Sequence, residues 1–88
     1  MPEIRLFGSL RMRAGVSRVQ VTGCTVRETL QALCDIHPAL HAMIFNGEHL
    51  NSFVRITIQG RDVSLREGLE TVVGEADTIS LFPPIAGG

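Results

Sequence analysis

The sequence contains no lysine, no tryptophan and no tyrosine. All eight basic residues are arginines, so there is no side-chain amine through which copies of the chain could be linked to one another. An excess of one charge is also missing. Nine acidic residues against eight arginines leave a formal net charge of −1, and the arginines are scattered, which gives no electrostatic footprint for nucleic acid. No apolar run approaches the roughly 18 to 20 residues of a membrane span, so no membrane partner is expected. The opening "MPEIRLFGSL" places charges inside its apolar stretch, unlike a signal peptide, and a cytoplasmic location is expected. The two cysteines, Cys24 and Cys34, form no CxxC pair and fall short of the four thiolates that usually hold an iron–sulfur cluster. Cys34 falls among apolar helix positions and reads as core.

What is present suits one small domain. At 88 residues, 44% hydrophobic and 19% charged, the chain is globular in composition. It buries only about 60 to 65% of its unfolded surface, enough for one sheet and one or two helices. "EIRLFGSL" alternates Ile4 and Leu6 against Arg5 and Phe7 and predicts a strand. "RMRAGVS" reads as a loop, and "RVQVT" resumes the alternation, so the first third is a candidate hairpin. Thr25 followed by Glu28 predicts a capping box, and Val26, Leu30, Leu33 and Cys34 repeat at helical spacing. Pro38 should end that helix near Ile36 or His37. "PALHAMIF" allows a further helical turn, "NG" at Asn46 and Gly47 marks a turn, and the run to Ser52 reads as a loop. "FVRITIQG" is the clearest strand, with Val54, Ile56 and Ile58 on one face and Arg55, Thr57 and Gln59 on the other. A short strand around Val63, a connection with one helical turn, and a last strand "TISLF" follow. The order of elements implies an α+β fold: a mixed sheet of four to five strands with one main helix packed on one face.

The ending "FPPIAGG" is the least ordinary feature. Two adjacent prolines cannot donate to a sheet ladder and favour an extended chain. The residues beyond Pro84 reach at most about 13 to 14 Å, at roughly 3.3 to 3.6 Å each. Paired glycines admit close approach where a Cβ would clash. The expected division is a body over residues 1–82 and an extended, flexible tail of Pro83, Pro84, Ile85, Ala86, Gly87 and Gly88. A frayed terminus is the plain alternative, though fraying explains neither the prolines nor the glycines.

This order of elements, with "IRLFGSLR", "NSFVRITIQGRDVSLREGLETVV" and "DTISLFPPIAGG", resembles the ubiquitin-like sulfur carriers over essentially the whole chain. These include the small subunit of molybdopterin synthase, the thiamin sulfur carrier and the carrier used by a cysteine synthase. The resemblance implies a β-grasp fold with the first and last strands parallel. It also implies an adenylyltransferase related to ubiquitin-activating enzymes, which would join the Gly88 carboxylate to AMP using ATP and magnesium. Sulfur would then replace AMP to give a thiocarboxylate. The thiocarboxylate would donate its sulfur to a synthase, either a pterin synthase large subunit or a pyridoxal-phosphate enzyme; "FVRITIQGRDV" with "GLETVV" leans toward the cysteine-synthase type. The chain would be a co-substrate with no bound cofactor and not an enzyme: no Ser, His or Cys lies beyond Ser80, and the nearest carboxylate before the tail is Asp77. Within the same fold, the alternative is a protein modifier conjugated through its C-terminal glycine.

The family's aromatic docking positions map onto Phe7 and Phe82, which alternate away from the apolar face. The competing reading makes one of them core under a loop. The family often has an apolar residue in the turn where this chain has Arg61 and Asp62. Cys34, His37, His41 and His49 are zinc-ligand types at short spacing, but Pro38 interrupts any common helical face, and no metal is expected.

Overall fold

The computed structural model describes residues 1–83. The chain begins with strand β1 (Glu3–Leu6) and continues through helix α1 (Gly8–Ala14) to strand β2 (Arg18–Gln20). β1 and β2 pair antiparallel, Ile4 opposite Val19, so the expected strand pair exists. The connection does not match expectation. "RMRAGVS" is mostly helix, and β1 stops at Leu6 instead of running on to Leu10. With seven residues and one fully buried side chain, Leu10, α1 is too short for periodicity to reveal. Its stop signal is Gly15, at φ 78° in the left-handed region, whose N–H donates to the Arg11 carbonyl at 2.9 Å.

Helix α2 (Val26–Ile36) is the main helix and ends where Pro38 required. Thr25 caps it by accepting the Glu28 N–H at 3.2 Å. The Glu28 carboxylate reaches back to the N–H of Cys24, at 2.7 Å, one residue before the cap. Val26, Thr29, Leu30, Leu33 and Cys34 are buried, and the buried Thr29 hydroxyl donates to the Val26 carbonyl at 2.8 Å. Pro38–Leu40 makes a 3-10 turn and leads into the short helix α3 (His41–Ile44). The run after Asn46, expected as loop, contains a strand: β3 (Phe45–Asn46) and β4 (His49–Leu50) form a separate hairpin.

Strand β5 (Arg55–Ile58) turns tightly at Gln59 and Gly60 into β6 (Arg61–Asp62). This short strand lies just before Val63, which itself begins a 3-10 turn. A further 3-10 turn at Gly68–Glu70 precedes the last strand, β7 (Thr78–Phe82). The main sheet has the order β2-β1-β7-β5-β6. β7 runs parallel to β1, Leu6 beside Leu81, and antiparallel to β5, Ile56 beside Leu81. Ile4, Leu6, Ile56, Ile58, Ile79 and Leu81 form the buried face of this sheet and share one core with Leu30 and Leu33 of α2. The start of α2 is pinned to the connection before β7: Val26 N–H donates to Thr71 at 3.0 Å and Val73 N–H to Cys24 at 2.8 Å. A mixed sheet with one main helix on one face is therefore observed, with the first and last strands parallel.

Candidate functional site

Because Leu6 and Leu81 are neighbours in a parallel ladder, the next residues, Phe7 and Phe82, emerge side by side on the opposite face. The Phe7 N–H donates to the Leu81 carbonyl at 3.2 Å and carries the ladder one step past β1. The two rings stack with centroids 4.7 Å apart and planes 12° from parallel. Phe7 is 37% exposed, and Phe82 is partly buried. Neither is in the core. Their stacking follows from an equal offset from the apolar positions of two strands that become neighbours.

Pro83 follows directly and packs over Gly8, where a built Cβ would lie 2.8 Å from the proline Cγ. The site is thus the end of the sheet at which β7 hands the chain to its last residues. Of the expected tail, Pro84, Ile85, Ala86, Gly87 and Gly88 lie outside the described residues. Beside Phe82 and Pro83 opens a groove of about 780 Å³, lined also by Phe53, Val54, Ile56 and Val63. Phe53 is exposed on it.

Arg55 stands opposite Phe82 across β5 and β7, and its guanidinium lies 3.3 Å from the Asp62 carboxylate. Asp62 is held in turn by the Ser64 N–H at 2.9 Å, and that hydrogen bond, more than the arginine, lowers its carboxyl below the usual range. Strand β6 thus presents Asp62 as a polar partner to Arg55 on the open face of the sheet.

The remaining candidates do not converge. Cys34 is buried, and burial, aided by the nearby Asp35 charge, pushes its thiol up to about 11. At neutral pH the unreactive thiol form therefore predominates. His41 tilts against the ring of Phe45 at 5.3 Å. Among the described residues, no three His, Cys, Asp or Glu side chains are grouped so as to hold a metal ion.

A β-grasp sheet with α2 on one face, and an aromatic pair where the last strand releases the chain, defines a ubiquitin-like protein. More narrowly, the chain belongs to the ThiS family, whose model matches residues 4–88. It is 38% identical to small archaeal modifier protein 1 of Haloferax volcanii over 93 residues, covering 98% of this chain and 99% of that protein. The solution structure of small archaeal modifier protein 1 from Methanosarcina acetivorans superposes with a TM-score of 0.92 at 33% identity, over 99% of this chain and 95% of that one. A chain in the crystal structure of the BexX/CysO complex of Amycolatopsis orientalis superposes with a TM-score of 0.90 at 28% identity, over the full length of both.

Proposed function

We propose that the protein is a sulfur carrier that works through the carboxylate of Gly88. The observation that carries this reading is the parallel β1–β7 pair, which sends the chain out beside an aromatic surface toward "PPIAGG". The family match running through residue 88 supports it.

A carboxylate is a poor acyl donor because its charge repels nucleophiles and oxide does not leave. Attack of a Gly88 oxygen on the α-phosphorus of ATP, with loss of pyrophosphate, gives an acyl adenylate. A sulfide-level nucleophile then adds at the acyl carbon, and AMP departs with the C–O bond. The product is a thiocarboxylate, deprotonated and polarizable at neutral pH like a thiolate. ATP and magnesium enter with a ubiquitin-activating-type adenylyltransferase, and sulfur leaves with a synthase, a pterin synthase large subunit or a pyridoxal-phosphate enzyme. Phe7 and Phe82 dock those partners, Pro83 anchors the exit of the chain over Gly8, and Pro84, Ile85, Ala86 and Gly87 enter the partner's active site with Gly88. The protein acts in the cytoplasm as a co-substrate.

The test is intact mass after incubation with the activating enzyme, ATP, magnesium and sulfide. The mass rises by the difference between sulfur and oxygen, and fragmentation places the change on Gly88. A rise of that size on Cys24 or Cys34 is oxidation of the thiol by oxygen and not sulfur transfer, and a Gly88 that gains no sulfur under these conditions ends the carrier reading.

A second reading, a modifier conjugated through Gly88, is favoured by the likeness to a small archaeal modifier protein. It shares the adenylate and differs in the acceptor: a lysine amine of another protein displaces AMP. Lysine-linked adducts to other proteins, in the absence of sulfide, would select it.

A further inference from the structure

The open face of the sheet carries more than its aromatic pair. The registers place Arg5, Arg18 and Arg55 on that face with Phe7 and Phe82, since each pairs with a residue that alternates away from the core. Arg18 lies opposite Arg5, and Arg55 lies opposite Phe82. The only acidic residues on the paired strands of this face are Glu3 and Asp62. Glu3 is shared between two guanidinium groups at long range, 3.9 Å to Arg5 and 3.8 Å to Arg18. Asp62 is committed to the Ser64 N–H as well as to Arg55. The three arginine side chains are 45%, 64% and 76% exposed. A chain of net charge −1 therefore turns an arginine-rich, aromatic surface outward beside its last strand. Exposed pairs of this kind contribute little to stability, and among the described residues most of the guanidinium donors have no other partner and can bind a second protein.

Resting on the carrier reading, we propose that Arg5, Arg18 and Arg55 are recognition residues for the activating enzyme, and that its docking surface presents carboxylates around an apolar socket. The Phe7–Phe82 stack fills the socket, and the guanidinium groups pair with the surrounding carboxylates. Guanidinium planes suit carboxylates because both can bond in a bidentate fork, and complementary charge speeds encounter. Tail and face thereby divide the work: the face sets how tightly the carrier is held, and the tail sets whether its carboxylate reacts.

The experiment is ATP–pyrophosphate exchange by the host's activating enzyme with the carrier concentration varied, alongside calorimetric binding to the same enzyme. The triple variant Arg5→Gln, Arg18→Gln, Arg55→Gln is compared with Arg66→Gln, an arginine whose charge acts on Asp77, at the other end of β7. The triple variant should raise the carrier KM and Kd by about tenfold or more with kcat within about twofold, and Arg66→Gln should change neither. Raising salt from about 50 to 500 mM should weaken the wild type several-fold and the triple variant little. A triple variant with wild-type KM, Kd and salt dependence overturns the proposal while leaving adenylation intact. If the wild type binds but is not adenylated, the carrier reading falls, and the Kd comparison still decides the arginines. Absence of any binding overturns both.

Discussion

Pro83 sits so closely on Gly8 that a Cβ at residue 8 would come within 2.8 Å of the proline Cγ. Gly8 also holds φ at 56°, where other residues are strained. One glycine thus lets α1 start immediately after β1 while the last strand leaves over it. Gly8→Ala should destabilise the domain by about 1 to 3 kcal/mol, part from backbone strain and part from the clash. Pro83→Ala in that background should recover the clash component alone. Urea melts of the two single variants and the double variant give the coupling; strictly additive effects would mean the contact is not the cause.

The Phe7–Phe82 stack predicts a separation of stability from recognition. Phe7→Ala removes a ring that is 37% exposed. It should cost no more than about 1.5 kcal/mol, the scale of an aromatic pair. Loss of enzyme binding should exceed that, since buried aromatic anchors dominate interface energy. Thermal melts and calorimetry on Phe7→Ala and Phe82→Ala measure both. A variant that loses stability and binding in equal measure would make the stack structural.

Asp77 accepts the Gly74 N–H at 2.7 Å and a Gln59 side-chain N–H at 3.2 Å, and these bonds hold its carboxyl below the usual range. Asp62 is lowered in the same way. A carboxylate with a depressed folded-state pKa contributes stability that is present above its unfolded value, about 3.9, and is lost as pH falls through the folded value. Melting temperature should therefore decline below about pH 4, and Asp77→Asn should make the decline shallower. An unchanged acid slope in Asp77→Asn would show that the turn before β7 does not depend on the charge.

Cys24 is exposed and Cys34 buried, with its thiol pushed up to about 11. Brief iodoacetamide treatment of the native protein near pH 8 should label Cys24 and spare Cys34 until the domain unfolds. Peptide mapping checks this. Rapid labelling of Cys34 in the native protein would mean that the packing of α2 opens readily.

Much of this architecture is legible before any coordinates. The alternation in "FVRITIQG" and "TISLF", and the Thr25–Glu28 cap with its apolar stripe, belong to elements long enough to repeat their own period. What escapes is shorter than one period or depends on distant partners. α1 buries a single leucine, and the β3–β4 hairpin has two-residue strands that exist only because they pair with each other. Arg55 was visible on the polar side of its strand, but its position beside Phe82 is set by a β5–β7 register that no local pattern encodes. The roles given to Gly87 and Gly88 come from residue chemistry and family likeness.

Those glycines support the sharpest separation. Gly87 lies five residues beyond Phe82, the end of β7, and the buried core of the described residues runs from Ile4 to Leu81. Substitutions away from packed sites usually stay within about ±0.5 kcal/mol, so Gly87→Val should melt as the wild type does. Valine nevertheless places a branched Cβ beside the reacting carboxylate and stiffens the residue before it. If the activating enzyme threads this segment through a channel fitted to bare backbone, the carboxylate is displaced, and a misplacement of about 1 Å at a reacting centre costs on the order of 100-fold. Pyrophosphate release should therefore collapse while calorimetric binding through the Phe7–Phe82 face persists. Adenylation of Gly87→Val at the wild-type rate would make the glycine pair incidental and remove the chemical basis for assigning activation to Gly88.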